Sequence, residues 1–341
     1  MMNRRTLVAL LVAFAASCAA KEAARDSSPA EASTGEFTEL EDDKERSDDL
    51  DRSERRVAGV DDLVRKLNEF AFDLYRSTRT EQFVISPVGV ANLLSVAQAG
   101  AEGASAEQIG QTLRYGSEEA GVHQKFRLLH EALAKRVEPE GRDSGRGFRF
   151  RSHSNVWVAP RLSLSAPFLA TATNQHSAAV EAIEFGDSVE SESKINQHIK
   201  DATGGRVEGL VHSPGPLTHF LLTNVVHWDA PWTLPFERGL TKDADFRTAN
   251  GSKRVPMMHG RMRVGYLDGD GFQVVELPYA DGLVSAWVIL PDEDKPNFDE
   301  GLTADFFAWM LQSAKQQEVD VRIPRFEIGS RHELKSALST M

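Results

Sequence analysis

Several groups of residues in this sequence could do chemistry, and each lacks a part. His332-Glu333 opens like the helix of a zinc hydrolase, but Ser336 stands one turn on, where the second histidine must lie to complete the chelate. His212 and His219 flank Pro214-Gly215-Pro216, a loop with no metal-ligand spacing, and read as loop histidines. Asp268-Gly269-Asp270-Gly271 begins like a calcium loop, yet Phe272 occupies the place of the third oxygen ligand, so a tight turn is expected. Asn250-Gly251-Ser252 fits the glycosylation sequon and also a plain turn. No Gly-x-Ser-x-Gly elbow occurs, which removes the common serine hydrolases. The residues therefore predict no catalytic centre, no metal site and no cofactor.

The remaining chemical group is Cys18, the one cysteine of the chain. Arg4 and Arg5 precede an apolar run from Leu7 to Ala16, too short to span a bilayer and laid out as a signal peptide over residues 1–18. Ala15-Ala16-Ser17-Cys18 resembles a bacterial lipobox, with Ala15 where leucine is usual. Two outcomes are open: lipidation of Cys18, which anchors the mature chain to the cell envelope, or plain cleavage and secretion. A single thiol excludes an intramolecular disulfide.

Charge divides the rest. The 341 residues carry a formal net charge of −12, which argues against a nucleic-acid partner. Half of that charge lies between Lys21 and Arg56, where 13 acidic residues face 7 basic ones and Phe37, Leu40 and Leu50 are the larger apolar residues. Residues 19–58 are therefore expected to be a disordered acidic tether, and residues 59–341 a folded domain.

Within that domain the apolar spacing of Val64, Leu67, Ala71 and Leu74 predicts a helix over Asp61 to Arg76. A short strand is expected at Phe83-Val84-Ile85, then a helix started by Ser86-Pro87, buried through Leu93, Leu94, Ala97 and Gln98. Helices are also expected from Ser105, over Pro167 to Gln175, over Val189 to Ala202, and over Asp305 to Ala314. Strands are expected over Phe148 to Val158, Phe220 to Trp228 and Glu318 to Ile328, with a hairpin of Val274–Tyr279 and Leu283–Leu290 around Asp281-Gly282. Long strands mixed irregularly with helices indicate an α+β fold.

Ordered blocks across this domain resemble the serpin family. They are Phe83-Val84-Ile85-Ser86-Pro87 with Ala99-Gly100-Ala101; Glu107-Gln108-Ile109; Lys194-Ile195-Asn196 with Thr203-Gly204-Gly205-Arg206-Val207; and Leu222-Thr223-Asn224-Val225-Val226-His227-Trp228 with Trp232 and Pro235-Phe236. Val255-Pro256-Met257-Met258, Val274 to Tyr279, Val288-Ile289-Leu290-Pro291, and Val321 to Phe326 with Leu334 and Leu338 complete the series. The resemblance implies a serpin fold of three sheets, the largest named A, and about nine helices. It also implies a protease inhibitor, directed at a serine or cysteine protease, that traps its target by inserting a cut bait loop into the largest sheet. A non-inhibitory binding or scaffold protein on the same body is the alternative.

The same resemblance assigns structural rather than catalytic roles. Ser86 and Asn224 match the shutter that parts to admit the loop, and Trp232 matches the breach, where insertion begins. Gly89 replaces a second shutter serine, and His198 stands where tryptophan is usual. The last residues, Ser339-Thr340-Met341, fall where about a fifth of a serpin domain is still expected. The bait loop, its hinge and further core strands are not located in the sequence. A truncated, inactive chain with unpaired strand edges is the expectation.

Overall fold

A computed structural model describes residues 59–80, 83–116, 121–135, 149–248, 251–279, 284–295 and 297–341. The export segment, Cys18 and the acidic tether lie outside the described residues. Helix α1 (Asp61–Thr78) begins with Asp61 and Asp62 in its first turn, where carboxylates complement the helix dipole. It buries Leu63, Val64, Leu67, Phe70, Phe72 and Leu74, a stripe at helical spacing. α2 (Pro87–Ala99) follows, with proline at its start and the Ser86 side chain accepting from the Gly89 N–H as cap. α3 (Ala104–Thr112) and α4 (Val122–Lys135) pack with α1 and α2 around Phe70, Leu113 and Phe126.

The functional centre of the fold is a three-stranded sheet in the order β2-β1-β3. β1 (Arg149–Val158) and β3 (Phe220–Asp229) are antiparallel over ten residue pairs, with Ser154 opposite Asn224 and Arg149 opposite Asp229. α5 (Ala166–His176) carries the chain across to β2 (Ala178–Ala182), which pairs parallel to β1. α6 (Ser188–Ala202) sets Ile195 and Ile199 against Trp157 and Val225 on one face of the sheet. On the other face α2 and α5 set Val96, Phe168 and Ala172 against Val156 and Leu222. Because helices cover both faces, Ser154 through Val158 are all buried and the strand reads as a continuous run.

The second sheet contains β4 (Lys242–Thr248), β5 (Gly251–Gly269), β6 (Phe272–Pro278), β7 (Ser285–Pro291) and β8 (Lys315–Pro324). β5 is 19 residues long and joins two ladders: its first part pairs β4, its last part pairs β6, and β8 runs alongside from Met257 to Tyr266. That one strand joins them into a single hydrogen-bonded sheet, so the described strands form two sheets where three were expected. α7 (Ala304–Ser313) covers Phe272, Trp287 and Ile289, and α8 (Lys335–Thr340) lays Leu334 and Leu338 against the helical core. Eight α-helices stand among the described residues, against about nine expected.

Other expectations are corrected. Phe83-Val84-Ile85 forms no strand; the Ser330 hydroxyl instead meets both the N–H and the carbonyl of Val84, which is exposed. The strand expected to reach Ile328 stops at Pro324, and Phe326 and Ile328 are exposed beyond it. In α2 the buried side chains are Ala91, Asn92, Ser95, Val96 and Gln98, whereas Leu93, Leu94 and Ala97 are half-buried. Asp268 to Gly271 is the expected tight turn, with Gly271 at a φ of +87° that favours glycine.

Candidate functional site

The sheet and α2 meet at Gly89. A Cβ there would lie 2.7 Å from Asn224 Oδ1, 3.2 Å from Val226 Cγ2 and 3.3 Å from Ser86 Oγ. The first turn of α2 thus rests directly on β3, and Ser86 and Asn224, read separately in the sequence, sit on either side of this contact. Asn224 Nδ2 donates to Ser154 Oγ at 2.9 Å and Ser152 Oγ at 3.2 Å, both on the adjacent strand β1. The asparagine therefore cross-links the two long strands on the face that α2 covers.

From Ser154 the polar contacts continue through the core. Asn92 Nδ2 donates to Ser154 Oγ at 2.8 Å, and Asn92 Oδ1 lies 2.8 Å from His176 Nδ1. His176 Nε2 is 3.0 Å from His123 Nδ1, which is also 3.2 Å from Ser95 Oγ. Asn92, Ser95, Ser154 and His176 are all buried. Buried polar groups of this kind are tolerated because each is hydrogen-bonded. Burial, the largest cause, followed by the neighbouring His123 and His130, lowers the His176 pKa to about 3. Burial alone lowers His130 to about 4 and moves His123 in the same direction. All three rings are therefore neutral at physiological pH. Asn92, Ser95, His123, Ser152, Ser154 and His176 were not singled out by sequence reading, since no local spacing marks them.

Trp232 is elsewhere, past the C-terminal end of β3. It stacks on Tyr279 with ring centroids 4.6 Å apart and planes 11° from parallel, and the two residues form an isolated backbone bridge. Trp228 meets the same tyrosine edge-on at 5.4 Å, and burial pushes the Tyr279 phenol up to about 12. The tryptophan thus ties the exit of β3 to the end of β6 and shares no contact with the Asn224 cluster.

His198 packs edge-on against Trp157, 5.3 Å between centroids, and lines a cleft of about 480 Å³ with Glu181, Lys194 and Asp201. His212 and His219 are exposed in their loop, and among the described residues no cluster of three metal-ligating side chains occurs. No described helix is long and apolar enough to cross a membrane.

A family model described as serpin (serine protease inhibitor) matches residues 65–341. The chain belongs to the serpin family, whose members are inhibitors or binding proteins rather than enzymes. An uncharacterized serpin-like protein of Thermococcus kodakarensis is 29% identical over 283 residues, covering 82% of this chain and 65% of that protein. Alpha-1-antitrypsin of Meriones unguiculatus is 28% identical over 290 residues, covering 82% and 69% respectively. The chain spans about two thirds of the length of these curated relatives. Among solved structures, reaction-loop-cleaved lamprey angiotensinogen superposes with a TM-score of 0.72 at 26% identity, covering 82% of this chain and 83% of that one. Emu ovalbumin gives a TM-score of 0.73 at 20% identity, covering 82% and 77%, and shares the fold.

Proposed function

We propose that this chain is the body of a protease inhibitor of the trapping type, in which a cut bait strand enters the sheet beside β3. The observation that supports this reading is the position of β3. It pairs with β1 along its whole length and carries Asn224 directly beneath the first turn of α2. Asn224, matched to the shutter, stands on it; Ser86, matched likewise, caps the helix that rests on it; and past its end lies Trp232, matched to the breach. In such trapping, the target's nucleophile attacks the bait peptide bond, the amine half leaves, and the acyl half stays on the protease as an ester of a serine or a thioester of a cysteine. Pairing of the freed strand with β3 then gains main-chain hydrogen bonds and buried surface, which drives the movement. Asn224, held by Ser152 and Ser154, keeps β1 and β3 together as that strand is added.

The test is a gel assay in which a form of the protein that carries a bait loop is incubated with trypsin-, chymotrypsin-, elastase- and papain-like proteases. A covalent adduct stable in SDS supports inhibition. Absence of an adduct with all of them favours a binding or scaffold role on the same body. Gly89 gives that second reading some weight, because it removes a hydroxyl from the matched shutter. The non-inhibitory reading also has company among the solved matches, which include ovalbumin and thyroxine-binding globulin.

The export reading adds a place of action at or outside the cell envelope, with a lipid on Cys18 as the anchor. Radiolabelled palmitate incorporated by the wild type and not by Cys18→Ala supports the anchor, and equal incorporation by both refutes it.

A further inference from the structure

We propose that His123 and His176 form a proton-operated latch that fastens α4 and α5 to the polar thread running through α2 to the sheet. The hydrogen-bond sequence fixes the direction of this thread. Asn92 gives its amide N–H to Ser154, so its oxygen accepts and His176 Nδ1 carries the proton. His176 Nε2 is then an acceptor, and His123 Nδ1 must donate to it. One N–H between the two rings therefore joins α4 to α5, and through Asn92 and Ser154 it reaches β1 and Asn224.

Acid attacks this joint in two ways. A proton added to His176 Nε2 sets two N–H groups face to face across the 3.0 Å contact. A proton added to the other nitrogen of His123 keeps the bond but places a cation where, among the described residues, no carboxylate pairs with it. The groups facing the pair are Asn92 and Ser95 from α2, Phe126 and His130 from α4, and Ser154, the next link of the thread, from β1. Of the charged residues of α4, Arg127 pairs with Glu131 and Lys125 with Asp62. His130 adds a further group that resists charge, since protonated neighbours repel one another. Opening α4 away from α5 lets these rings reach water and take up protons together. The latch therefore opens cooperatively with proton uptake, while the second sheet, which carries none of these groups, stays closed.

Amide hydrogen exchange of the full chain between pH 7.5 and 5, corrected for the intrinsic pH dependence, tests this. For two protons, the opening constant of residues 122–135 and 166–176 should rise roughly 100-fold per pH unit below about 6.5, and roughly 1000-fold where His130 joins. Residues 255–279 should show no comparable rise. His176→Gln keeps one donor and one acceptor without a titrating ring, and should lower the slope by one order of magnitude. Equal slopes in the two proteins, or a parallel rise at residues 255–279, would overturn the latch. If His176→Gln does not fold, side-chain nitrogen NMR of the wild type decides. Joint conversion of both rings to imidazolium as α4 opens supports the latch. Titration of either ring near 6.5 with α4 still closed refutes it.

Discussion

Gly89 and Asn224 are in such close register that a Cβ on the first would lie 2.7 Å from the side-chain oxygen of the second. The contact sets how closely α2 rests on β3, and so how the residues matched to the shutter face one another. A serine at position 89, usual in the family, has no room here unless Asn224 gives up its bonds to Ser152 and Ser154.

Gly89→Ser and Gly89→Ala are therefore expected to destabilise the fold by about 1 kcal/mol. The overpacking cost of ~1–3 kcal/mol is partly offset by better helix propensity. In an Asn224→Ala background the same changes should become neutral or stabilising, because the clashing oxygen is gone. Urea midpoints of the six proteins form two double-mutant cycles, one for each residue placed at 89. A coupling near zero would mean that the two residues do not meet.

Asn224→Ala alone should cost about 1–2 kcal/mol, since it takes a donor from the half-buried Ser152 hydroxyl and one of two from the buried Ser154 hydroxyl. Ser152→Ala should cost less, because Ser154 receives both Asn224 and Asn92. Equal losses in chemical denaturation would argue that the thread does not branch at Ser154.

Global stability should fall in acid. His176, His130 and His123 have folded-state pKa values below that of the unfolded chain, about 6.5. Their contribution is complete above that value. It is lost as pH falls through the window toward about 4 and about 3, the values held by His130 and His176. Each proton taken up on unfolding adds ~1.4 kcal/mol per pH unit to the slope. Denaturation midpoints measured from pH 8 to 4.5 should bend downward near 6.5, and His176→Gln should weaken the bend.

Filling the cleft beside Trp157 should stabilise the chain. His198→Trp places a larger ring against Trp157 in about 480 Å³ of space and should add about 1 kcal/mol. A thermal melt reads this as a rise of a few degrees. A fall would mean that the His198–Glu181 contact outweighs the added packing.

The elements that frame the site were legible where apolar periodicity was strong. Val64, Leu67, Ala71 and Leu74 mark α1, and the extended segments around Trp157 and from Phe220 to Trp228 mark the paired strands. The strand at Phe83 failed because an apolar run does not name its partner, and here Ser330 takes the backbone instead. The burial of α2 was misread for a related reason. Leu93 and Leu94 satisfy the helical pattern, yet Asn92 and Ser95 are the deeper residues. Their partners, Ser154, His176 and His123, come from other elements far along the chain, and spacing within one helix carries no sign of them. Ser86 and Asn224 were found through the family pattern, which also flagged Gly89 and His198. The histidine pair had no such signal.

The central claim is that a strand can be added beside β3. A synthetic peptide of about a dozen small and β-branched residues, mixed in excess with the full chain, should occupy that edge. Hydrogen exchange should then slow at the β3 amides of residues 220–229 that point away from β1, and the melting temperature should rise. Unchanged exchange along β3 at saturating peptide, with protection appearing at another strand or nowhere, would contradict the account.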